Sequence, residues 1–210
     1  MSTTLNIPVV QTILYQEEIE FASACGKFRN YRAKHCGRYD VNELYETEDE
    51  DVHVMGAIAE YAVYATCNLA PHLTFDKYKD QADLGDDIEI KSSMKHNYLL
   101  ARAGDNPEHK AIFVKVLSPR YDKGFQLWGW LPIKEILQKQ FLEPPCRDPR
   151  RYDSRPLYGA HISKLRPIDE ILQEIEEKYG GTSPYSMLFS SSINNYGMRI
   201  EKLTYLKYPT

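Results

Sequence analysis

Apolar and charged residues alternate over a short stretch near the middle of the chain. Ile88 and Ile90 are apolar, whereas Glu89 and Lys91 are charged. Because successive side chains of a strand point to opposite faces, this alternation predicts a half-buried strand over residues 88–92. The two isoleucines would face the core, and a carboxylate and an ammonium group would stand side by side on the other face.

Four further strands are predicted, at residues 98–102, 111–117, 125–131 and 158–162, and the second of them is rich in branched apolar residues. The second is almost continuously apolar, which is typical of a central strand. A short helix is expected from Pro132 to about residue 139, because proline suits a first helical turn. A last helix is predicted over residues 168–179, ending at the glycine pair that follows.

Helical periodicity dominates the N-terminal third of the chain. Residues 1–7 are expected to be a loose terminus, and residues 8–35 repeat apolar positions at helical spacing, with Gly26 as an interruption or an end. The polar, acidic residues 37–51 predict a loop. A second helix is predicted over residues 52–69, where Glu60 lies among small apolar residues and is either a partnered carboxylate or an ordinary solvent-facing one.

The resulting order is helix, helix, several strands, helix, helix. It indicates an α+β or three-layer α/β/α fold with a mixed central sheet and flanking helices. A chain of 210 residues is long enough for one sizeable core, so we predict one domain. Its core would span about residues 52–140, with a helical N-terminal arm at 8–36 and a C-terminal extension at 142–210. Residues 200–206 could form either a strand of a hairpin or a helix.

Composition narrows the class of protein only slightly. The net charge of −4 gives no support to non-specific coating of nucleic acid, although residues 27–38 and 147–155 are locally basic. The four cysteines are scattered without a CxxC pair, which argues against a structural zinc site and fits a reducing compartment. No apolar run approaches the length of a membrane span, and no signal peptide is recognisable. We therefore expect an intracellular, cytoplasmic protein without a membrane partner.

The turn before the first alternating strand is crowded with aspartates: Asp80, Asp83, Asp86 and Asp87. Hydrolysis of a phosphodiester needs an activated water and neutralisation of developing charge, and divalent cations with hard oxygen ligands supply both. Asp83, Glu89 and the main-chain carbonyl of Ile90 could hold such a cation. Lys91 would add a positive charge near the water. The competing interpretation is a charged sheet edge that discourages aggregation.

Three segments together resemble the signature of the PD-(D/E)XK nuclease superfamily. They are Gly-Ala-Ile-Ala-Glu at residues 56–60, Asp-Leu-Gly at 83–85 and Ile-Glu-Ile-Lys-Ser-Ser at 88–93. The strands that follow, as far as Trp128-Gly129-Trp130, are similar to a phage-type subset of these nucleases. The resemblance spans about residues 52–137. It implies a restriction-endonuclease-like core and hydrolysis of DNA with Mg²⁺, for which Mn²⁺ would substitute, and it is compatible with a phage-encoded protein acting in the host cytoplasm.

The resemblance also implies roles for individual residues. Asp83 and Glu89 match the metal-binding carboxylates, Lys91 matches the catalytic lysine, and Glu60 matches the helix glutamate that assists metal or water binding. Ala82 stands where the family pattern has proline. The neighbouring aspartates at positions 80, 86 and 87 are therefore rival first ligands.

Residues close to the motif in sequence are weaker candidates. Ser92 and Ser93 would either contact substrate phosphate or end the strand. His96, Arg102 and Gln126 could border the site. Trp128 and Trp130 are expected on one strand face, packed in the core or an interface.

Three functional hypotheses follow from the sequence. The first is a metal-dependent nuclease acting on DNA, and the second is an RNA-selective or structure-selective nuclease with the same chemistry. The third is a catalytically inactive nuclease-fold module that binds nucleic acid or serves in assembly, consistent with the acidic net charge. The family resemblance also suggests a homodimer. Endonuclease or exonuclease mode is left open by the sequence.

Overall fold

The computed structural model describes residues 5–35, 46–71, 81–145, 156–180 and 200–208, with side chains described for all of these except 5–7, 46–51 and 200–208. The strands are β1 (Leu5–Thr12), β2 (Ile88–Ser93), β3 (Tyr98–Arg102), β4 (Lys110–Val116), β5 (Phe125–Pro132), β6 (Leu157–His161) and β7 (Ile200–Tyr208). The α-helices are α1 (Gln16–His35), α2 (Glu46–Thr66), α3 (Ile133–Ile136) and α4 (Ile168–Tyr179). Asp80 and the basic residues at 147–155 lie outside the described residues.

Five strands form a mixed central sheet in the order β2-β4-β5-β1-β7. The β2–β4 pair is parallel, whereas the other neighbouring pairs are antiparallel. β3 and β6 form a separate antiparallel pair. The predicted mixed α and β architecture, with a mixed sheet and flanking helices, is confirmed, and the strand that carries the Ile-Glu-Ile-Lys motif lies at the sheet edge.

The two faces of the sheet are covered differently. On one face α1, α2 and α4 pack against a cluster that includes Ile58, Ile88 and Ile171. On the other face β3, β6 and the short α3 contribute Leu99 and Ile133 to a second cluster. Among the described residues, the long helices therefore lie on one face, and the third layer is built mainly from the β3–β6 pair.

The prediction of a helix from residue 8 is wrong for its first part. Residues 5–12 form β1, which lies between β5 and β7 in the sheet, and α1 begins only at Gln16. Residues 5–7, expected in a loose terminus, belong to the same strand. Val9 packs into the cluster on one face and Val10 into the cluster on the other, so β1 is buried on both sides. Its β-branched residues suit this environment.

The helix bounds also differ from prediction. α2 begins at Glu46, within the stretch expected to be a loop, and ends at Thr66. Carboxylates early in a helix interact favourably with its dipole, so the acidic run is compatible with a helical start. α1 continues through Gly26 without interruption. The tail strand β7 pairs with β1, which assigns a strand to residues 200–208.

The glycine in α1 allows the close approach of α2. A Cβ built at Gly26 would lie 2.6 Å from the Cα of Val54 and 2.7 Å from the carbonyl oxygen of His53. Real Cβ atoms do not come so close to backbone. Gly26 therefore permits the α1–α2 contact that positions Glu60.

We expect Gly26→Ala to destabilise the protein by about 1–3 kcal/mol, the usual cost of overpacking a close contact. Gly56→Ala in α2 is the matched control, since a Cβ there meets nothing within 4 Å. Alanine is a better helix former than glycine, so the control should gain about 0.5–1 kcal/mol. Urea unfolding of both variants measures the difference. Equal effects of the two substitutions would contradict the close helix contact.

The two tryptophans of β5 do not share a face, contrary to the prediction. Trp128 belongs to the cluster beneath β3 and β6, and Trp130 belongs to the cluster beneath the helices. The register between β4 and β5 shifts at Phe113, where Val114 pairs with Leu127. A bulge of this kind inverts the alternation of side chains. Both indoles are buried, in agreement with the predicted packing role.

No helix among the described residues is long and apolar enough to cross a bilayer.

Candidate functional site

The motif strand β2 presents its two faces as the alternation predicts. Ile88 and Ile90 are buried in the cluster beneath α1, α2 and α4. Glu89 pairs in register with Ala111 and Lys91 with Phe113, and both partners belong to the opposite cluster. The charged pair therefore projects from the face that carries β3 and β6.

A tight turn leads into β2. The main-chain N–H groups of Asp83 and Leu84 donate to the carbonyl of Ile88 at 2.8 and 2.9 Å, and Ile88 donates back to Leu84 at 3.3 Å. Gly85 has φ +60°, and a Cβ there would lie 1.9 Å from the hydroxyl of Tyr179. The left-handed backbone of the turn favours glycine at this position, and a side chain there would also displace the ring of Tyr179 on α4.

The turn directs the carboxylate of Asp83 onto β2. Asp83 Oδ2 accepts a hydrogen bond from the main-chain N–H of Ile90 at 2.5 Å. The N–H and C=O of one strand residue point to the same side, so the Ile90 carbonyl points to the same side of β2 as the Asp83 carboxylate. One carboxylate thus rests against the main chain between Glu89 and Lys91.

The rival aspartates that are described have other surroundings. Asp86 is exposed, and its N–H approaches the hydroxyl of Tyr179 at 3.4 Å. Asp87 forms ion pairs with Lys110 at 3.5 Å and Lys178 at 3.2 Å. Among Asp83, Asp86 and Asp87, it is the carboxylate of Asp83 that accepts a hydrogen bond from the motif strand.

Glu89 and Lys91 form a partly buried ion pair. Lys91 Nζ lies 3.3 Å from Glu89 Oε2, and the two side chains are 30% and 17% exposed. Lys91 Nζ also lies 3.4 Å from Asp105 Oδ2. The ammonium group is therefore shared between two carboxylates on one face of the sheet.

Sequence reasoning missed three residues that surround this pair. His109 is buried, and its Nδ1 lies 3.0 Å from Glu89 Oε1. Its Nε2 lies 2.9 Å from the amide nitrogen of Asn106. The third residue is Asp105, and its Asp-Asn-Pro sequence indicates only a turn. The parallel pairing of β2 with β4 brings the start of β4 beside Glu89. No local sequence pattern predicts that pairing.

Glu60 is a partnered carboxylate. Its two oxygens accept from Arg29 Nη1 and Nη2 on α1, at 2.8 and 2.9 Å. Burial works against the charge on Arg29, but the bonds to Glu60 outweigh it and raise the pKa of the guanidinium. α2 packs against the Ile88 face, whereas Glu89 projects from the other face. The structure thus brings Glu60 to Arg29, and its assistance to metal or water binding stays a prediction.

Tyr64 links α2 to the Asp83 turn. Its hydroxyl donates to the main-chain carbonyl of Asp83 at 3.1 Å. Burial, and then the negative charge of Glu60, raise the pKa of the phenol to about 12. Tyr64 is therefore protonated at neutral pH and remains a donor to the turn.

The weaker candidates have mainly structural contacts. Ser93 is buried, and its Oγ accepts from the N–H groups of Lys95 and His96, so it caps the turn after β2. His96 stacks on Phe113, and burial, followed by the charge of Lys115, lowers the pKa of its ring. Arg102 is exposed, and Gln126 pairs with Lys115 across the β4–β5 ladder.

The donor chemistry fits a hard cation. Asp83, Glu89 and the Ile90 carbonyl would all offer oxygen atoms to a metal ion, and oxygen is the donor that Mg²⁺ and Mn²⁺ prefer. Within the described ranges, no three His, Cys, Asp or Glu side chains are grouped as a metal site. The candidate set includes a main-chain oxygen, so it has only two such side chains.

Comparison of the chain with family models, with curated proteins and with solved structures found no match.

Proposed function

We propose that the protein is a metal-dependent nuclease of PD-(D/E)XK type that hydrolyses phosphodiester bonds of DNA. The supporting observation is the hydrogen bond from Ile90 N–H to Asp83 Oδ2. It brings a turn carboxylate to the strand that carries Glu89 and Lys91. The carboxylate of Asp83 therefore lies against the main chain of the strand whose side chains include Glu89 and Lys91. These are the residues to which the sequence motif assigns the metal site.

In this proposal Asp83, Glu89 and the carbonyl of Ile90 hold Mg²⁺. The bound cation would supply Lewis-acid stabilisation of the phosphate and lower the pKa of a water. The ligand atoms come from a tight turn and a strand, both held by main-chain hydrogen bonds. Rigid elements of this kind keep ligands close to their binding geometry.

Lys91 is the proposed catalytic cation. Its ammonium group lies 3.3 Å from Glu89, so it is adjacent to the proposed ligands. A lysine there orients the attacking water and offsets negative charge on the phosphate as it develops. Its side chain is 30% exposed, which leaves it accessible to a substrate.

Loss of metal binding in two variants tests the proposed site. Asp83→Asn and Glu89→Gln each remove one anionic ligand with little change in shape. We expect each to raise the Kd for Mn²⁺ by at least about 10-fold, because the loss of even an outer partner of a metal ligand typically has an effect of that size. Isothermal titration with Mn²⁺ measures the Kd, and chelation of the metal should stop cleavage of DNA.

Asp86→Asn is the matched control for charge. Asp86 is exposed and lies three residues from Asp83. The Asp86→Asn substitution removes the same charge from the same turn and should leave the Kd for Mn²⁺ close to that of the wild type. If the wild type binds no Mn²⁺, or if all three variants bind equally, the proposed metal site is wrong.

A second candidate function is a nuclease-fold module without turnover. One observation favours it: the oxygens of Glu89 already face His109 and Lys91, so the ion cluster is satisfied by the protein itself. Such a module would bind DNA in a gel-shift assay in the presence of EDTA and show no cleavage with Mg²⁺ or Mn²⁺. Cleavage that depends on Lys91 excludes it.

A further inference from the structure

The turn between β3 and β4, residues 103–109, contacts both charged groups of the motif strand. His109 reaches Glu89, and Asp105 reaches Lys91, at 3.0 and 3.4 Å. Neither residue belongs to the sequence motif. We call this segment the β3–β4 turn.

Hydrogen bonds within the turn define the orientation of His109. Asn106 Oδ1 accepts from the N–H of Glu108 at 3.1 Å, so its other amide atom is the NH₂ group. That group lies 2.9 Å from His109 Nε2 and must donate to it. The remaining ring nitrogen, Nδ1, then carries the hydrogen and donates to Glu89 Oε1. Asn106 thus selects the tautomer that holds Glu89.

Asp105 is oriented in a comparable way. Its Oδ2 accepts from the main-chain N–H of Arg102 at 3.2 Å and lies 3.4 Å from Lys91 Nζ. If Glu89 engages a cation, Asp105 still offers the ammonium group a partner. A lysine held by a group other than a metal ligand keeps its position when that ligand is occupied.

The turn itself is anchored to the body of the protein. The carbonyl of His109 accepts from Ile133 N–H at 2.8 Å, and the carbonyl of Pro107 accepts from Lys134 N–H at 3.3 Å. Both donors belong to α3. His109 is 5% exposed. The contacts to Glu89 and Lys91 therefore come from a fixed support.

We propose that the β3–β4 turn is the positioning element of the site, in which His109, oriented by Asn106, holds the Glu89 carboxylate and Asp105 holds the Lys91 ammonium group. This inference rests on the proposed nuclease function. It predicts that the two halves of the turn control different quantities. His109 should govern metal affinity through Glu89, and Asp105 should govern turnover through Lys91.

The experiment measures the Kd for Mn²⁺, kcat for cleavage of linear duplex DNA, and Tm for a set of variants. His109→Ala should raise the Kd about 10–100-fold, as loss of a group that orients a metal ligand does. His109→Asn keeps an amide donor near the position of Nδ1 and should recover most of that loss. Asp105→Asn keeps an acceptor for Arg102 but removes the charge, and should lower kcat about 10-fold with an unchanged Kd.

Two further variants protect the test against unfolding and non-specific effects. Asn106 is exposed, so Asn106→Ala should fold normally and raise the Kd several-fold through the orientation of His109. His161→Asn is the matched control. His161 Nδ1 contacts Ser163, and asparagine can cap the same turn. This control should change neither the Kd nor kcat.

The outcomes separate the inference from the function on which it rests. A wild-type Kd in His109→Ala and Asn106→Ala would overturn the positioning role and leave the metal site intact. If all turn variants lose metal affinity, kcat and Tm in parallel, the positioning role is also overturned, because the turn would then only support the fold. A wild type that neither binds Mn²⁺ nor cleaves DNA would overturn the proposed function and this inference together.

Discussion

Lys91→Ala is expected to lower kcat for Mg²⁺-dependent cleavage of DNA by about 10²–10³-fold, the typical loss when one preorganised group that stabilises a transition state is removed. The Kd for Mn²⁺ should not rise. Lys91 Nζ lies 3.3 Å from Glu89 and 3.4 Å from Asp105. Its removal takes away a positive charge beside the proposed metal ligands, which does not disfavour a bound cation. Steady-state kinetics on linear duplex DNA and titration with Mn²⁺ measure the two quantities separately.

Lys123→Ala provides the matched control for the loss of a lysine. Lys123 is exposed in the turn between β4 and β5, outside the proposed site. It should keep both kcat and Tm. The Lys91 variant should also keep its Tm to within a few degrees, because its ion pairs are partly solvent-exposed and contribute little net stability. Equal activity of wild type and Lys91→Ala on every DNA and RNA substrate would refute the catalytic assignment.

The elements that the sequence predicted well are those specified by local patterns. β3 was predicted at residues 98–102 and α4 at residues 168–179, and both have these bounds. β2 follows from strict alternation, and Gly180 marks the end of α4. In each case the signal lies within the element itself. The hydrophobic period and the residues that end an element are then sufficient to predict it.

β1 could not be recognised in this way. Its apolar residues fit a helical spacing when they are joined to those of α1. Its partners β5 and β7 lie more than 100 residues away in sequence, at Phe125–Pro132 and Ile200–Tyr208. Only the pairing shows that Val9 and Val10 are buried on opposite faces. A strand inside a sheet is determined by these distant neighbours.

The residues of the candidate site also differ in whether a local sequence pattern reveals them. Asp83, Glu89 and Lys91 could be named because they lie within nine residues of each other in a recognisable order. His109 is 20 residues from Glu89, and it meets that residue only because β2 and β4 pair in parallel. Arg29 is 31 residues from Glu60 and reaches it through the α1–α2 contact. Partners of this kind require a fold before they can be named.

Removing one member of the Arg29–Glu60 pair is expected to destabilise the protein by about 3–5 kcal/mol, because each substitution deprives a buried charge of its doubly hydrogen-bonded partner. The side chains are 13% and 7% exposed and share two hydrogen bonds. Arg29→Met and Glu60→Leu should each show this loss in urea unfolding. The double variant should recover most of it, since apolar residues of similar volume replace buried ion pairs at little cost.

Glu135→Gln is the control for an exposed pair. Glu135 pairs with Arg166, and their side chains are 34% and 43% exposed. Its loss should cost less than about 1 kcal/mol. Equal losses for Glu60→Leu and Glu135→Gln would contradict the buried character of the Arg29–Glu60 pair.

The double variant also decides the role of Glu60 at the metal. Arg29 already engages both Glu60 oxygens, and Tyr64 carries the contact from α2 to Asp83. We therefore expect Arg29→Met/Glu60→Leu to bind Mn²⁺ with the wild-type Kd. A folded double variant with weakened binding would instead support direct assistance by Glu60. Because the single variants change stability and the double variant restores it, metal affinity is compared here between proteins of similar stability.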